Sequence, residues 1–395
     1  MWTKAIAVAC TLILLTVQAV AGAREDIAAI APSGKVLVID EKGKALVSHN
    51  ADGAFSPASV AKIVTAWLAL EALGGNYRFK TRFYVDDNRM LYVRGGGDPF
   101  LVSEEFALLA PRLLEATGKE PFKGIVLDTG YYPDNLRIPG IEDDNEAYNA
   151  RNAALAANFN TIHAVRKGKT VRSAEKQTPI TPLAVAQFRA RAPNGRSRIS
   201  LAQEDPAIGA RYAGELIAAF IKKAGGSVDG EITIGAVPAG LQPVYVHQQS
   251  RDLAEILRQM MIGSNNYIAN QVFLEVGAQG SGGQVSLDNS VRVANAMFAK
   301  HGIDIVLKEG SGISPQNQFT TRGLGKVLDQ FAPHAELMRR TKAGSRYKTG
   351  TIDGVRTLAG YAVTRNHGLV RFVISLGGNT GKTRFRVLRA IERGL

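Results

Sequence analysis

The sequence predicts a two-domain α/β protein in which one domain is built from both ends of the chain and the other is inserted between them. Three observations carry that prediction. Short β-type segments lie near both ends, with helical periodicities between them. From about residue 78 to residue 202 the pattern changes to short strands around a single helix. The length of 395 residues suits two domains of roughly 100–200 residues each.

Composition narrows the class without choosing a function. Hydrophobic residues make up 45% and charged residues 21%, enough for a sizeable core and far from disordered or collagen-like chains. Lys and Arg outnumber Asp and Glu by 48 to 35, a net charge of +13. Such a surplus suits nucleic acid, an anionic envelope or acidic substrates, and charge alone does not select among them. With one cysteine, Cys10, neither a disulfide framework nor a cysteine-based zinc site is available.

The first residues read as an export signal. A short positive start at residues 1–4 precedes an uncharged apolar run over 5–17, then Ala21-Gly22-Ala23 before Arg24-Glu25-Asp26. A signal peptide over residues 1–23 is therefore expected. The competing reading, an uncleaved anchor, needs ~20 apolar residues, more than this run supplies. Lipid attachment at Cys10 would require a cut before the apolar run ends. No later stretch approaches ~18 uninterrupted apolar residues. The chain is accordingly expected to be exported, periplasmic or envelope-associated, with no stable membrane span after cleavage.

Residues 35–40 and 45–48 flank a turn containing Gly43 and predict a β-hairpin. Pro57 introduces a largely buried helix over 60–73, ended by Gly74-Gly75. Segments 82–85 and 90–94 predict a second hairpin, and Ser103 is placed to cap a helix running to about Thr117. The acidic, asparagine-rich stretch 142–152 reads as surface loop. Helical signal returns over 207–224 and 252–276, followed by a Gly/Ser-rich loop at 277–283. Strands over 345–349, 357–363 and 370–376 and a basic helix after Gly381 complete the chain. The expected division is 24–77 and 203–395 for the domain made from both ends, with 78–202 as an inserted α+β domain.

Three short motifs carry chemistry. Ser59-Val60-Ala61-Lys62 opens the first long helix, where a spacing of three puts serine and lysine about a turn apart on one face. The helix start favours negative charge developing on Ser59, and a lysine in a dry site can lose its proton and serve as base. Alone, the pair reads better as a capping serine and a solvated lysine. Ser264-Asn265-Asn266 interrupts an apolar helical stretch, so it either faces a cleft or closes a helix break. Lys348-Thr349-Gly350-Thr351 ends a strand. There Gly350 allows a substrate backbone to approach, Lys348 and Thr351 can hold a carboxylate, and a main-chain N–H can join an oxyanion hole.

In this order the motifs match S-x-x-K, S-D-N and K-T-G, and the sequence resembles the penicillin-binding proteins and β-lactamases that carry them. Four further runs extend the likeness: Phe55-Ser56-Pro57-Ala58 before Ser59, Gly95-Gly96-Gly97-Asp98-Pro99, Glu309-Gly310-Ser311-Gly312-Ile313-Ser314, and Leu358-Ala359-Gly360-Tyr361. Together they resemble the D-alanyl-D-alanine carboxypeptidases/endopeptidases of the low-molecular-mass class C penicillin-binding proteins. The 202 positions from Lys62 to Ser264 are what an inserted domain requires, and the insert is shorter than in the largest members.

The resemblance implies a penicillin-recognising serine transpeptidase (β-lactamase-like) fold, an antiparallel sheet with flanking helices, acting on peptidoglycan stem peptides and acylated by β-lactam antibiotics. It implies Ser59 as nucleophile, Lys62 as general base, Ser264 as proton relay to departing D-alanine, and Asn266 as a partner of the substrate amide and of Lys62. Lys348 supplies positive potential, and Thr349, Gly350 and Thr351 bind substrate. The oxyanion hole falls to the main-chain N–H groups of Ser59 and Thr351. Asn265 departs from the family's usual aspartate, between the two residues that carry the roles. This mechanism needs no metal or organic cofactor.

Rival readings have specific weaknesses. Gly377-Gly378-Asn379-Thr380-Gly381-Lys382-Thr383 mimics a phosphate loop, but Leu376 stands where its first glycine is required. Ser311 has Glu309 where a G-x-S-x-G nucleophile needs glycine. The six histidines form no metal-ligand spacing, and scattered cations without interleaved aromatics argue against nucleic acid. Two alternatives stay open: a β-lactamase or esterase of the same fold, and a non-catalytic cell-wall scaffold, which has no need of Ser59, Lys62, Ser264, Asn266 and Lys348 together.

Overall fold

The ends of the chain meet in one sheet. In the computed structural model, which describes residues 20–201, 205–378 and 381–395, strand Lys35–Ile39 lies antiparallel to strand Leu369–Gly377, with Lys35 opposite Ser375 and Ile39 opposite Arg371. Residues 1–19, most of the expected signal peptide, and Asn379-Thr380 of the phosphate-loop mimic lie outside the described residues. The chain forms two compact units. One gathers the chain up to Leu68, Leu257–Ser264 and Ala294–Leu395; the other holds Ala69–Ile256 and Asn265–Val293.

The first unit is built on a six-stranded antiparallel sheet. Its order is Arg339–Arg340, Arg346–Ile352, Val355–Val363, Leu369–Gly377, Lys35–Ile39, Ala45–His49. Alternation along Lys35–Ile39 splits its side chains between two faces. Val36 and Val38 enter a cluster with Ala23 and Ile27 of a helix over residues 20–30 and with Leu388 and Ile391 of helix Thr383–Gly394. Leu37 and Ile39 lie instead beside Gly325 of helix Thr321–Phe331, where a Cβ would stand 2.8 Å from Ile39 Cδ1. That helix is tied down by Tyr361, whose hydroxyl donates to Leu328 O at 2.6 Å.

The second unit contains the described part of the 78–202 segment. A five-stranded mixed sheet runs in the order Tyr245–Gln248, Lys80–Val85, Met90–Arg94, Gly124–Asp128, Ile232–Ile234. Phe83, Val93, Ile125 and Leu127 from the strands meet Phe106 and Leu113 of helix Ser103–Thr117 and Leu216 and Phe220 of helix Ala207–Lys223 in one core. A three-stranded antiparallel sheet, ordered Thr170–Ser173, Thr161–Lys167, Gly195–Ser200, adds Ile162, Val171 and Ile199 to the same core. Ser103 does not cap its helix as expected. It is the first helical residue, and its N–H donates to Asn158 Oδ1 at 3.0 Å.

Candidate active site

Ser59 is held by a backbone that few sequences tolerate. Ala58 has φ 47°, a left-handed conformation that costs a non-glycine residue energy, and the 3-10 turn Ala58–Val60 then enters helix Ala61–Leu73. Two glycines and one hydroxyl stabilise this geometry. A Cβ on Gly312 would lie 1.9 Å from Ala58 O, and one on Gly350 would lie 2.9 Å from Ser59 N. Thr357 Oγ1 donates to Pro57 O at 2.8 Å. The missing side chain of Gly350 thus makes room for the serine's own backbone, a need that the sequence reading, which assigned the space to substrate, did not foresee.

Helical spacing brings Lys62 back to Ser59. The Lys62 Nζ donates to Ser59 Oγ at 3.0 Å and to Ser311 O at 2.7 Å. Lys62 is fully buried, and burial lowers its pKa to about 7, while the nearby Glu309 carboxylate acts in the opposite sense. Glu309 is the anchor of the loop that supplies Ser311 O. It accepts from Ser311 N and Oγ, Gly312 N and Asn317 Nδ2 at 2.6–2.7 Å and from Ser314 N at 3.3 Å. Thr65, one turn beyond Lys62, clamps the same loop by donating to Gly310 O at 2.6 Å.

Ser264 sits at a helix break. The stretch expected as one helix over 252–276 is two, Leu253–Gly263 and Asn266–Gln279, separated by Ser264 at φ 54°. Arg339 holds the end of the first helix, its Nε donating to Ile262 O at 3.1 Å. Asn265 caps the second by accepting from Ile268 N at 3.1 Å, which gives this residue a local structural task. Asn266 belongs to the second unit, where its Nδ2 donates to Tyr148 O at 3.2 Å.

On strand Arg346–Ile352, pleating puts Lys348 and Gly350 on the buried face and Thr349 and Thr351 on the other, Thr351 being exposed. Lys348 Nζ donates to Ser264 Oγ at 2.8 Å and to Thr349 O at 2.9 Å. Burial first, then the positive charges of Lys62, Arg339 and Arg384, lower its pKa to about 6. Arg384, from the C-terminal helix, stitches the strand end together: its Nη1 donates to Gly350 O at 2.6 Å, Thr357 O at 3.1 Å and Thr351 Oγ1 at 3.3 Å.

One unit therefore brings together Ser59, Lys62, Ser264, Lys348 and the 349–351 strand end. An amine with a near-neutral pKa on a serine oxygen can take the proton of an attacking hydroxyl. A second lysine on a second serine can pass a proton onward. Sequence reasoning gave no role to Glu309, Arg339 or Arg384. Glu309 appeared there only within a run that extends the family likeness, with no role attached. Ser311, rejected above as a nucleophile, is buried and spends its hydroxyl on Glu309. Among the described residues, no group of three or more His, Cys, Asp and Glu could hold a metal ion, and no helix is long and apolar enough to cross a membrane.

A family model described as the D-Ala-D-Ala carboxypeptidase 3 (S13) family matches residues 17–193 and 189–341. A D-alanyl-D-alanine carboxypeptidase of Actinomadura sp. is 28% identical, the match covering 93% of this chain and 83% of that protein. Among solved structures, penicillin binding protein 4 of Haemophilus influenzae superposes with a TM-score of 0.72 at 21% identity, covering 90% of this chain and 93% of that one. A penicillin G-acylated predatory endopeptidase from Bdellovibrio bacteriovorus, solved with an immunity protein, gives a TM-score of 0.52 at 18% identity over 90% and 88% of the two chains.

Proposed function

Because the chain belongs to the D-Ala-D-Ala carboxypeptidase 3 (S13) family of serine peptidases, we propose that it removes the terminal D-alanine from peptidoglycan stem peptides through an acyl-enzyme on Ser59. Lys62 takes the Ser59 proton as Oγ attacks the carbonyl carbon of the D-Ala-D-Ala bond. The main-chain N–H groups of Ser59 and Thr351 receive the developing oxyanion. Ser264, supported by Lys348, returns a proton to the departing D-alanine nitrogen. Water then attacks the acyl-serine and releases the shortened peptide. Thr349 and Thr351 take the free carboxylate, and Arg384 keeps Thr351 in place.

The observation that carries this reading is the 3.0 Å contact between Ser59 Oγ and the Nζ of a fully buried Lys62, which can be neutral near pH 7. The reading places the enzyme outside the cytoplasm, where its polymer lies, and makes penicillin a covalent inhibitor at the same serine. It is tested by incubating the protein with a pentapeptide ending in D-Ala-D-Ala and with a cross-linked dimer. Release of D-alanine that disappears in Ser59→Ala supports it. Activity retained by Ser59→Ala contradicts it. Opening of the dimer would add endopeptidase action, and rapid penicillin hydrolysis without peptide cleavage would move the chain to the β-lactamase alternative.

A further inference from the structure

The positive charge is concentrated in a small part of the second unit. Residues 161–200 hold nine Lys and Arg against a single acid, Glu175. They form the three-stranded sheet and the helix Pro182–Arg191 behind it. One face of that sheet is apolar: Ile162, Ala164, Val171 and Ile199 are buried in the core with Phe188. Pleating sends their neighbours to the opposite face.

That opposite face is cationic. Arg172 and Arg196 stand on either side of Val165 in register, and Lys167 follows two residues on. A strand spacing of ~4.8 Å puts the two arginines' backbones about 10 Å apart. Lys167, Arg172 and Arg196 are exposed, and among the described residues none of the three makes an ion pair or a side-chain hydrogen bond. The one acid is already engaged, since Glu175 accepts from Arg198 at 2.5 Å and stands 3.2 Å from His163 Nδ1. Like charges crowded without counterions raise a local positive potential, and nothing in the fold of this sheet requires them.

We propose that this face is an exosite for a carboxylate-bearing polymer, and that the occupant is the peptidoglycan strand itself; the identity of the occupant rests on the function proposed above. An insoluble substrate rich in stem-peptide carboxylates is a polyanion, and arginine forks recognise carboxylates by paired hydrogen bonds. A membrane surface fits less well, because the three strands present Val165, half-buried, and no exposed large apolar side chain to insert, the segment's exposed Ile180 lying outside them. Single-stranded nucleic acid fits less well too, because the only Phe, Tyr or Trp in the segment is the buried Phe188.

The test is co-sedimentation of the full-length protein with purified sacculi, beside the triple variant Lys167→Glu, Arg172→Glu, Arg196→Glu. Both proteins are also labelled with fluorescent penicillin. The variant is expected to need at least tenfold more sacculi for half-sedimentation while its acylation rate stays unchanged. Wild-type binding should weaken steeply at roughly 0.5 M NaCl, where screening lengths shrink to a few ångströms. Equal sedimentation of the two proteins overturns the proposal. Tighter binding to phosphatidylglycerol vesicles than to sacculi, lost in the variant, overturns the assigned occupant. If the glutamate variant loses its penicillin labelling, the glutamine triple is read in its place, with an expected shift of about threefold and the same overturning result. A wild type that refuses penicillin yet binds sacculi through these residues supports the exosite while sinking the catalytic reading.

Discussion

Lys62 Nζ stands 3.0 Å from Ser59 Oγ and 2.7 Å from Ser311 O, with the lysine fully buried. The amine therefore touches the nucleophile and a fixed carbonyl at once, and its burial lowers its pKa to about 7. A lysine that serves as base must be neutral first.

Acylation by penicillin should accordingly rise with pH through about 7 and level off above it. The lysine holds its proton below that value and is free to accept one above it. Measured second-order acylation rates from pH 5 to pH 9 check this. Lys62→Met should lose about 10²–10⁴ in rate, the usual contribution of a positioned base.

The same burial makes Lys62 a stability cost. Between about 7 and the ordinary 10.5 the unfolded chain holds a proton that the folded chain has released. The cost is therefore full below about pH 7 and fades as pH rises towards 10.5, so stability rises across that window. Each pH unit is worth about 1.4 kcal/mol. Lys62→Met should melt a few degrees higher than wild type at pH 7 while being inactive, and its advantage should shrink towards pH 10. Calorimetry at the two pH values reads both effects.

Glu309 is expected to act through Lys62. Glu309→Gln removes the negative charge that opposes the depression of the Lys62 pKa, so the rise of the pH–rate profile should move below 7. Glu309→Ala leaves Ser311, Gly312 and Asn317 donors buried and unpaired. A loss of about 3–5 kcal/mol in stability follows from breaking such a buried charged network, visible in denaturant titration.

The strand end should be equally intolerant. Gly350→Ala would push a methyl to 2.1 Å from Thr357 Oγ1 and 2.9 Å from Ser59 N, so it should cut acylation by at least tenfold. Arg384→Ala should chiefly raise KM for substrates with a free terminal carboxylate, because it frees Gly350 O and Thr351. An amidated peptide, processed poorly by both proteins, should show little difference between them.

What the sequence reveals here follows from range. Ser59 and Lys62 are one helical turn apart, and Lys348 to Thr351 run along one strand, so spacing and motif expose them. The terminal hairpin, the helix after Pro57 and the three C-terminal strands have strong local periodicity and appear close to their expected limits. Glu309 and Arg384 act over long separations, Lys62 meeting Ser311 across 249 positions, and no local pattern announces such contacts. Ser264 breaks its helix by a single left-handed residue, an interruption that three polar residues mark in the sequence without choosing between a helix break and a polar face on one continuous helix. Short strands such as Ile232–Ile234 and Tyr245–Gln248 are set by pairing with distant partners rather than by their own sequence, so they escape a local reading.

The most direct test of the account is to incubate the protein with a fluorescent penicillin and to map the labelled peptide by mass spectrometry, beside Ser59→Ala. The account predicts a long-lived adduct on the peptide containing Ser59 and none in the mutant. An adduct on another residue, or none at all on folded protein with the penicillin left intact, would contradict it.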